Sequence, residues 1–219
     1  PGVFKDGYDY ARSKNPTRTA LEANLAALEG GRFGLTFSSG LAAMDCVIHQ
    51  LRAGDHVVLS DDVYGGTFRQ LDKVYRHLNI ACTRVDMTRP GEVEKAMTPR
   101  TRLVWLETPS NPTLKVIDIA AIRKVVDAAA KSMSAGPADA TLGPLGEPLA
   151  RPIFVVDNTF ASPYLQSPLA HGADVVMHSC TKYIGGHSDL IAGALVTSDP
   201  KLADRLRYVQ NAVGAVPGA

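Results

Sequence analysis

Ile153-Phe154-Val155-Val156-Asp157-Asn158-Thr159 is the stretch on which the fold turns. An unbroken apolar run that closes on a carboxylate and two small polar residues reads as a short strand buried on both faces, with Asp157 at its carboxyl end. Working outward, similar runs stand at Phe33–Phe37, His56–Ser60, 80–85, 102–107, Val175–Ser179 and 192–197. Helical patterns separate most of them, at 41–51, 67–77, 118–131 and 201–211. Upstream, Asn15-Pro16-Thr17 is a helix-start signal; Leu21, Leu25 and Leu28 then recur at i, i+4, i+7, and Gly30-Gly31 closes the segment. Short apolar strands alternating with helices predict an α/β fold with a mainly parallel sheet covered by helices.

The chain has 219 residues, enough for one good core, and 23 basic against 22 acidic side chains, so nothing in its charge asks for a polyanion. Aromatics are 6% and form no basic stripe, which disfavours nucleic acid; no apolar run reaches the length of a membrane span. Cys46, Cys82 and Cys180 are odd in number and scattered, as suits a reducing compartment and a cytoplasmic protein rather than a disulfide or zinc scaffold. His178, His187 and Asp189 lack metal-ligand spacing, so no metal is expected; His187 reads as a hydrogen-bonding structural residue and Cys180 as packed behind its strand. The segment 132–152, rich in glycine and proline, reads as a surface insertion. The sequence begins Pro1-Gly2-Val3 and stops just after a helical stretch, so it is treated as part of a longer polypeptide.

Ligands of open parallel sheets bind beyond the carboxyl ends of the strands. There the sequence places Asp61, Asp62 and Tyr64-Gly65-Gly66; Glu107-Thr108-Pro109-Ser110-Asn111-Pro112; Asp157-Asn158-Thr159; and Ser179-Cys180-Thr181-Lys182. Ser38-Ser39-Gly40 precedes a helix and can cradle a phosphate, although taken alone it is a plain serine N-cap. Alternation turns Ser179 and Thr181 one way and Cys180 the other, setting two hydroxyls beside the Lys182 amine. Such an amine becomes useful when its pKa is lowered or when it is held as a Schiff base. Asp157 on a neighbouring strand suits a protonated ring nitrogen, or equally a turn cap. A lysine, a carboxylate and a phosphate cradle are what a pyridoxal phosphate site requires.

Taken in order, Tyr10-Ala11-Arg12, Asn15-Pro16-Thr17, Ser38-Ser39-Gly40, Asp61-Asp62-Val63-Tyr64-Gly65-Gly66-Thr67, the 107–112 segment, Val156-Asp157-Asn158-Thr159-Phe160 and Ser179-Cys180-Thr181-Lys182-Tyr183 resemble the Cys/Met-metabolism family of pyridoxal phosphate enzymes. Within that family, the 61–67 segment and Gly186-His187-Ser188-Asp189 after Lys182-Tyr183 are most similar to the γ-lyase branch. The resemblance implies the aspartate-aminotransferase-like large domain over 17–219, an N-terminal extended arm over 1–16, and a C-terminal domain beyond residue 219 carrying the arginine for the substrate carboxylate. It implies Lys182 as the Schiff-base lysine, Asp157 as partner of the ring nitrogen and Tyr64 as the residue stacked on the ring. Ser39, Gly40, Leu41, Ser179 and Thr181 match phosphate positions, and Thr159 joins the cofactor-binding set. Asn111 would lie near the ring hydroxyl and substrate carboxylate, with Glu107 as its substrate-side companion; Tyr10 and Arg12 would reach the phosphate of a neighbouring subunit. The implied reaction is γ-elimination of cystathionine to cysteine, 2-oxobutyrate and ammonia, in a homotetramer built as a dimer of dimers with shared sites. The alternatives are γ-replacement on a homoserine ester, γ-elimination from methionine, or a non-catalytic cofactor-binding fragment.

Overall fold

The computed structural model describes residues 7–133 and 151–218. Its strands are β1 (Phe33–Phe37), β2 (His56–Ser60), β3 (Ala81–Val85), β4 (Thr101–Glu107), β5 (Ile153–Asp157), β6 (Val175–Ser179) and β7 (Gly193–Thr197). The α-helices are α1 (Pro16–Leu28), α2 (Gly40–Ile48), α3 (Gly65–Arg69), α4 (Pro90–Ala96), α5 (Ile119–Met133), α6 (Ser162–Leu165) and α7 (Pro200–Val213). The strands form one sheet in the order β1-β7-β6-β5-β4-β2-β3. From β3 through to β6 every neighbouring pair is parallel, whereas β7 runs antiparallel to both β6 and β1. No helix carries the chain from β6 back to the start of the sheet, so β7 returns in the opposite direction.

Strand alternation divides the apolar side chains between two layers. Leu103 and Trp105 of β4 and Val155 of β5 face a core closed by α2 and α7. Val104, Leu106, Phe154 and Val156 face the other way, onto Ile122 and Val126 of α5. A smaller cluster joins Leu25 and Ala26 of α1 to Val176, Cys180 and Val196. This two-sided burial is why the sequence reads as continuous apolar runs.

Several sequence expectations are corrected. Leu21 and Leu28 are exposed; α1 buries Leu25, Ala26 and the stem of Arg18 instead. The 67–77 segment is not one helix. α3 passes into a π-turn over Gln70–Val74, then a 3-10 turn over Tyr75–Leu78. Residues five apart share a face in a π-turn, and Gln70 Nε2 (3.1 Å) and the Tyr75 hydroxyl both donate to Asp45 of α2. β3 is an exposed edge strand carrying Thr83 and Arg84, unlike its buried neighbours. The N-terminal arm is wound into a turn at residues 11–13, because the Arg18 guanidinium donates to the carbonyls of Ala11, Arg12 and Ser13 at 2.8–3.0 Å. Pro16 already belongs to α1, under an Asn15 cap that accepts from Thr17 and Arg18. Of the 132–152 segment, residues 132 and 133 complete α5, 151 and 152 precede β5, and 134–150 lie outside the described residues.

Gly34 of β1 is buried against α1, where an added Cβ would stand 2.1 Å from the carbonyl oxygen of Glu22. Gly34→Ala is expected to push α1 off the sheet and cost about 1–3 kcal/mol in urea unfolding followed by circular dichroism. Gly91→Ala in α4, where nothing lies within 4 Å, is the matched control and should not destabilise.

Candidate active site

The carboxyl ends of β4, β5 and β6 and the N-terminus of α2 enclose a cavity of about 210 Å³. Asp157 closes β5, in register with Glu107 of β4 on one side and Met177 of β6 on the other. It is buried, and its Oδ1 accepts from the Thr159 amide at 3.0 Å and the Thr159 hydroxyl at 2.6 Å. The same hydroxyl accepts from the Ser179 amide at 2.9 Å, so Thr159 ties the end of β5 to the end of β6. Burial raises the Asp157 carboxyl above its ordinary value, opposed by the two Thr159 hydrogen bonds and by the charge of His178.

Lys182 lies on the cavity wall in the turn after β6, where its amide donates to Ser179 O (3.1 Å) and its carbonyl accepts from Gly186 (2.7 Å). Ser179 and Thr181 share that wall, while Cys180 is buried on the α1 side, as the alternation predicted. The Thr181 hydroxyl also exchanges hydrogen bonds with the backbone of Ala192, which fastens this turn to the segment before β7. Ser39 caps α2, its Oγ accepting from Ala42 N at 3.0 Å, and Gly40 and Leu41 follow it on the cavity wall. Two glycines permit this close seating. A Cβ on Gly40 would meet Ser179 Cβ at 2.9 Å, and one on Gly193 would meet Ser39 O at 2.1 Å. The free amides of a helix N-terminus, with Ser179 alongside, make a seat for an anion.

Tyr64, a residue 44% exposed, stands at the N-terminus of α3 with its ring folded over Gly66, where a Cβ would come within 2.3 Å of it. Glu107 fixes this aromatic wall. One carboxylate oxygen accepts from Tyr64 N (2.8 Å) and the other from Asn111 N (2.9 Å), so a single buried side chain ties the α3 loop to the 108–112 loop. Burial, then repulsion from Asp157, pushes the Glu107 carboxyl up to about 8.

Of the sequence-predicted residues, the structure gathers Ser39, Gly40, Leu41, Tyr64, Glu107, Asn111, Asp157, Thr159, Ser179, Thr181 and Lys182 around this cavity. It does not bring Tyr10 and Arg12 there. Arg12 Nη1 instead donates to Asn211 Oδ1 (3.0 Å) and to Asn211 O on α7, with the Tyr10 ring 5.1 Å from its guanidinium. Thr67, Phe160, Met177 and Ile191 also line the cavity and were not foreseen. Met177 was readable, since it lies two residues before Ser179 and shares its face; Ile191 arrives only through the fold.

Glu107 gives the cofactor-free chain a defined pH dependence. Its carboxyl is about 8 in the folded state against 4.5 when free, so the folded state favours the protonated form. That contribution is complete below pH 4.5 and is lost as pH rises through about 8. The raised Asp157 carboxyl acts in the same sense. Thermal melts of cofactor-free protein should therefore fall less between pH 5 and 8.5 in Glu107→Gln than in the parent. At pH 5 the variant should be the less stable of the two, because an amide NH₂ cannot accept the second backbone N–H.

The family model described as Cys/Met metabolism PLP-dependent enzyme matches residues 3–142 and 149–219. A cystathionine gamma-synthase of Mycobacterium tuberculosis is 51% identical over 219 residues, covering 99% of this chain and 51% of that protein. A cystathionine gamma-lyase of Bacillus subtilis is 47% identical over 212 residues, covering 97% of this chain and 50% of that protein. Among solved structures, cystathionine gamma-lyase from Lactobacillus plantarum, complexed with L-serine, superposes with a TM-score of 0.87 at 42% identity, over 99% of this chain and 51% of that one. The chain thus spans about half the length of the relatives it matches. With a family model matched over nearly its whole length and relatives near half identity on both the synthase and lyase sides, this chain belongs to the Cys/Met-metabolism family of PLP-dependent enzymes, and pyridoxal 5'-phosphate is its cofactor.

Proposed function

We propose that the complete polypeptide works at the γ-carbon of a sulfur amino acid, splitting cystathionine with one water into cysteine, 2-oxobutyrate and ammonia. The observation that carries this reading is the meeting of Lys182, Asp157 and the N-terminus of α2 around one cavity. The residues fit the cofactor. Gly40 and Gly193, where a Cβ would collide, let α2 and Ser179 close on an anion, and a buried carboxylate and an amine complete the set. When bound, pyridoxal phosphate supplies an aldehyde that takes up amines and a ring that accepts an electron pair.

The chain's own groups do the rest. Lys182 Nζ is the amine that would hold the cofactor's aldehyde, and once free it would take the proton from the substrate Cα and return protons to the departing and remaining fragments. Asp157 holds a proton at the ring nitrogen. Ser39, Gly40, Leu41, Ser179 and Thr181 would bind the phosphate, Tyr64 would pack against the ring, and Asn111 would serve the ring hydroxyl and the substrate carboxylate. Glu107 keeps Tyr64 and Asn111 in place through their amides. An arginine beyond residue 219 grips the substrate carboxylate, and Tyr10 and Arg12 complete the phosphate site of a neighbouring subunit, in a cytoplasmic dimer or dimer of dimers. A second reading, γ-replacement of a homoserine ester by cysteine, is favoured by the 51% identity to a protein named cystathionine gamma-synthase.

Product analysis separates the two readings. The lyase releases 2-oxobutyrate from cystathionine alone, whereas the synthase needs the ester and cysteine together. In either case Lys182→Ala should abolish turnover and trapping of the cofactor by borohydride, while weaker non-covalent binding persists; a variant still trapped would remove Lys182 from its role. The shared site has its own test. When complete Arg12→Ala and Lys182→Ala polypeptides exchange subunits at equal amounts, about half the dimers are mixed and about a quarter of all sites carry neither substitution. Activity should recover to that level, and no recovery despite demonstrated exchange would place Arg12 outside the site.

A further inference from the structure

A buried polar network, none of whose members serves in the mechanism above, lies beside the cavity. Its centre is Glu29, just after α1 and 2% exposed. Glu29 Oε1 accepts from His178 Nε2 and from Asn158 Nδ2, the latter at 2.8 Å. The Asn158 side chain in turn accepts from Gln166 Nε2 (2.9 Å), which also donates to the carbonyl of Thr108 (3.0 Å). Each strand-end member is the chain neighbour of a cavity residue: Asn158 follows Asp157, His178 precedes Ser179, and Thr108 follows Glu107. Alternation explains the arrangement, since the same strand ends turn one residue to the cavity and the next to the network.

The chemistry of this network is unbalanced in a telling way. Glu29 Oε2 and His178 Nδ1 are buried without a hydrogen-bond partner. A carboxylate this deep requires a compensating charge, and His178 is the ionisable group in contact with it. His178 directly follows Met177, the register partner of Asp157, and a positive charge there favours the Asp157 carboxylate against the burial that raises it; Glu107, the register partner on β4, adds repulsion once it ionises. We propose that Glu29 and His178 are positioning residues for Asp157. Their shared proton sits on His178, and that charge, held in place by Glu29, keeps Asp157 ionised and ready to hold the proton of the cofactor's ring nitrogen.

This rests on the reading of the cavity as a pyridoxal phosphate site, and the test separates the two. The complete polypeptide is loaded with pyridoxal phosphate labelled with ¹⁵N at the ring nitrogen and followed by solid-state NMR against pH. A parent that does not retain the cofactor through Lys182 defeats the site reading itself. In a parent that does, the double variant Glu29→Gln, His178→Gln removes both charges, leaves amides able to hydrogen bond, and strands no lone buried ion. It should melt cooperatively, yet its ring nitrogen should lose its proton about one pH unit lower, with cofactor affinity weakened roughly tenfold. A folded double variant with an unchanged ring-nitrogen titration overturns the proposal, even if its melting point has dropped, because that outcome is a structural role alone. A measurement on the unsubstituted protein guards against a variant that fails to fold. With ¹⁵N-histidine, the ring of His178, identified by its proximity to Ala194, its register partner on β7, should carry protons on both nitrogens; a neutral ring equally overturns the proposal.

Discussion

The site depends on keeping a carboxylate buried at the end of a central strand. Asp157 is 5% exposed, with β4 and β6 on its flanks, and a charge in that position is costly unless it is held by hydrogen bonds and opposed by positive charge. The surrounding structure follows from that constraint. Thr159 spends both its amide and its hydroxyl on Asp157 Oδ1, and its hydroxyl oxygen then holds the Ser179 amide, so the group that satisfies the acid also sets the spacing to the lysine-bearing turn. The neighbouring acid, Glu107, accepts two backbone amides from two loops and yet holds its proton up to about 8, so there burial outweighs the hydrogen bonds.

A second constraint is steric. The N-terminus of α2 can serve the cavity because neither Gly40 nor Gly193 carries a side chain; each added Cβ would fall within 3 Å of a neighbouring atom. Helix, strand and turn therefore meet at van der Waals contact, and the anion seat belongs to the packing of three elements rather than to a loop that closes over a ligand. Tyr64 is held the same way, its ring lying in space that Gly66 leaves open.

Much of this was legible in the sequence. Unbroken apolar runs announced strands buried on both faces, and polar residues just past them announced which edge would carry chemistry, because a parallel sheet leaves its carboxyl ends free. Local rules failed where a distant partner decided the conformation. The 67–77 helix is widened into a π-turn so that Gln70 and Tyr75 both reach Asp45, and the arm is curled by Arg18 reaching back to three carbonyls. In neither case do the interacting residues announce each other by spacing.

What the sequence alone determined is the order and type of the main elements and the identity of the cavity's polar residues, since both depend on the period of side chains along a strand and on turn chemistry, which are local. What only the tertiary structure decided is which of those residues share a partner. Glu107 joining Tyr64 to Asn111, and Glu29 joining His178 to Asn158, are contacts across 43, 4, 149 and 129 positions of chain, respectively Tyr64, Asn111, His178 and Asn158. All but one of these separations lie far beyond any local periodicity. Hydrogen bonds of that kind exist because the sheet stacks strand ends side by side, and no reading along the chain contains that adjacency.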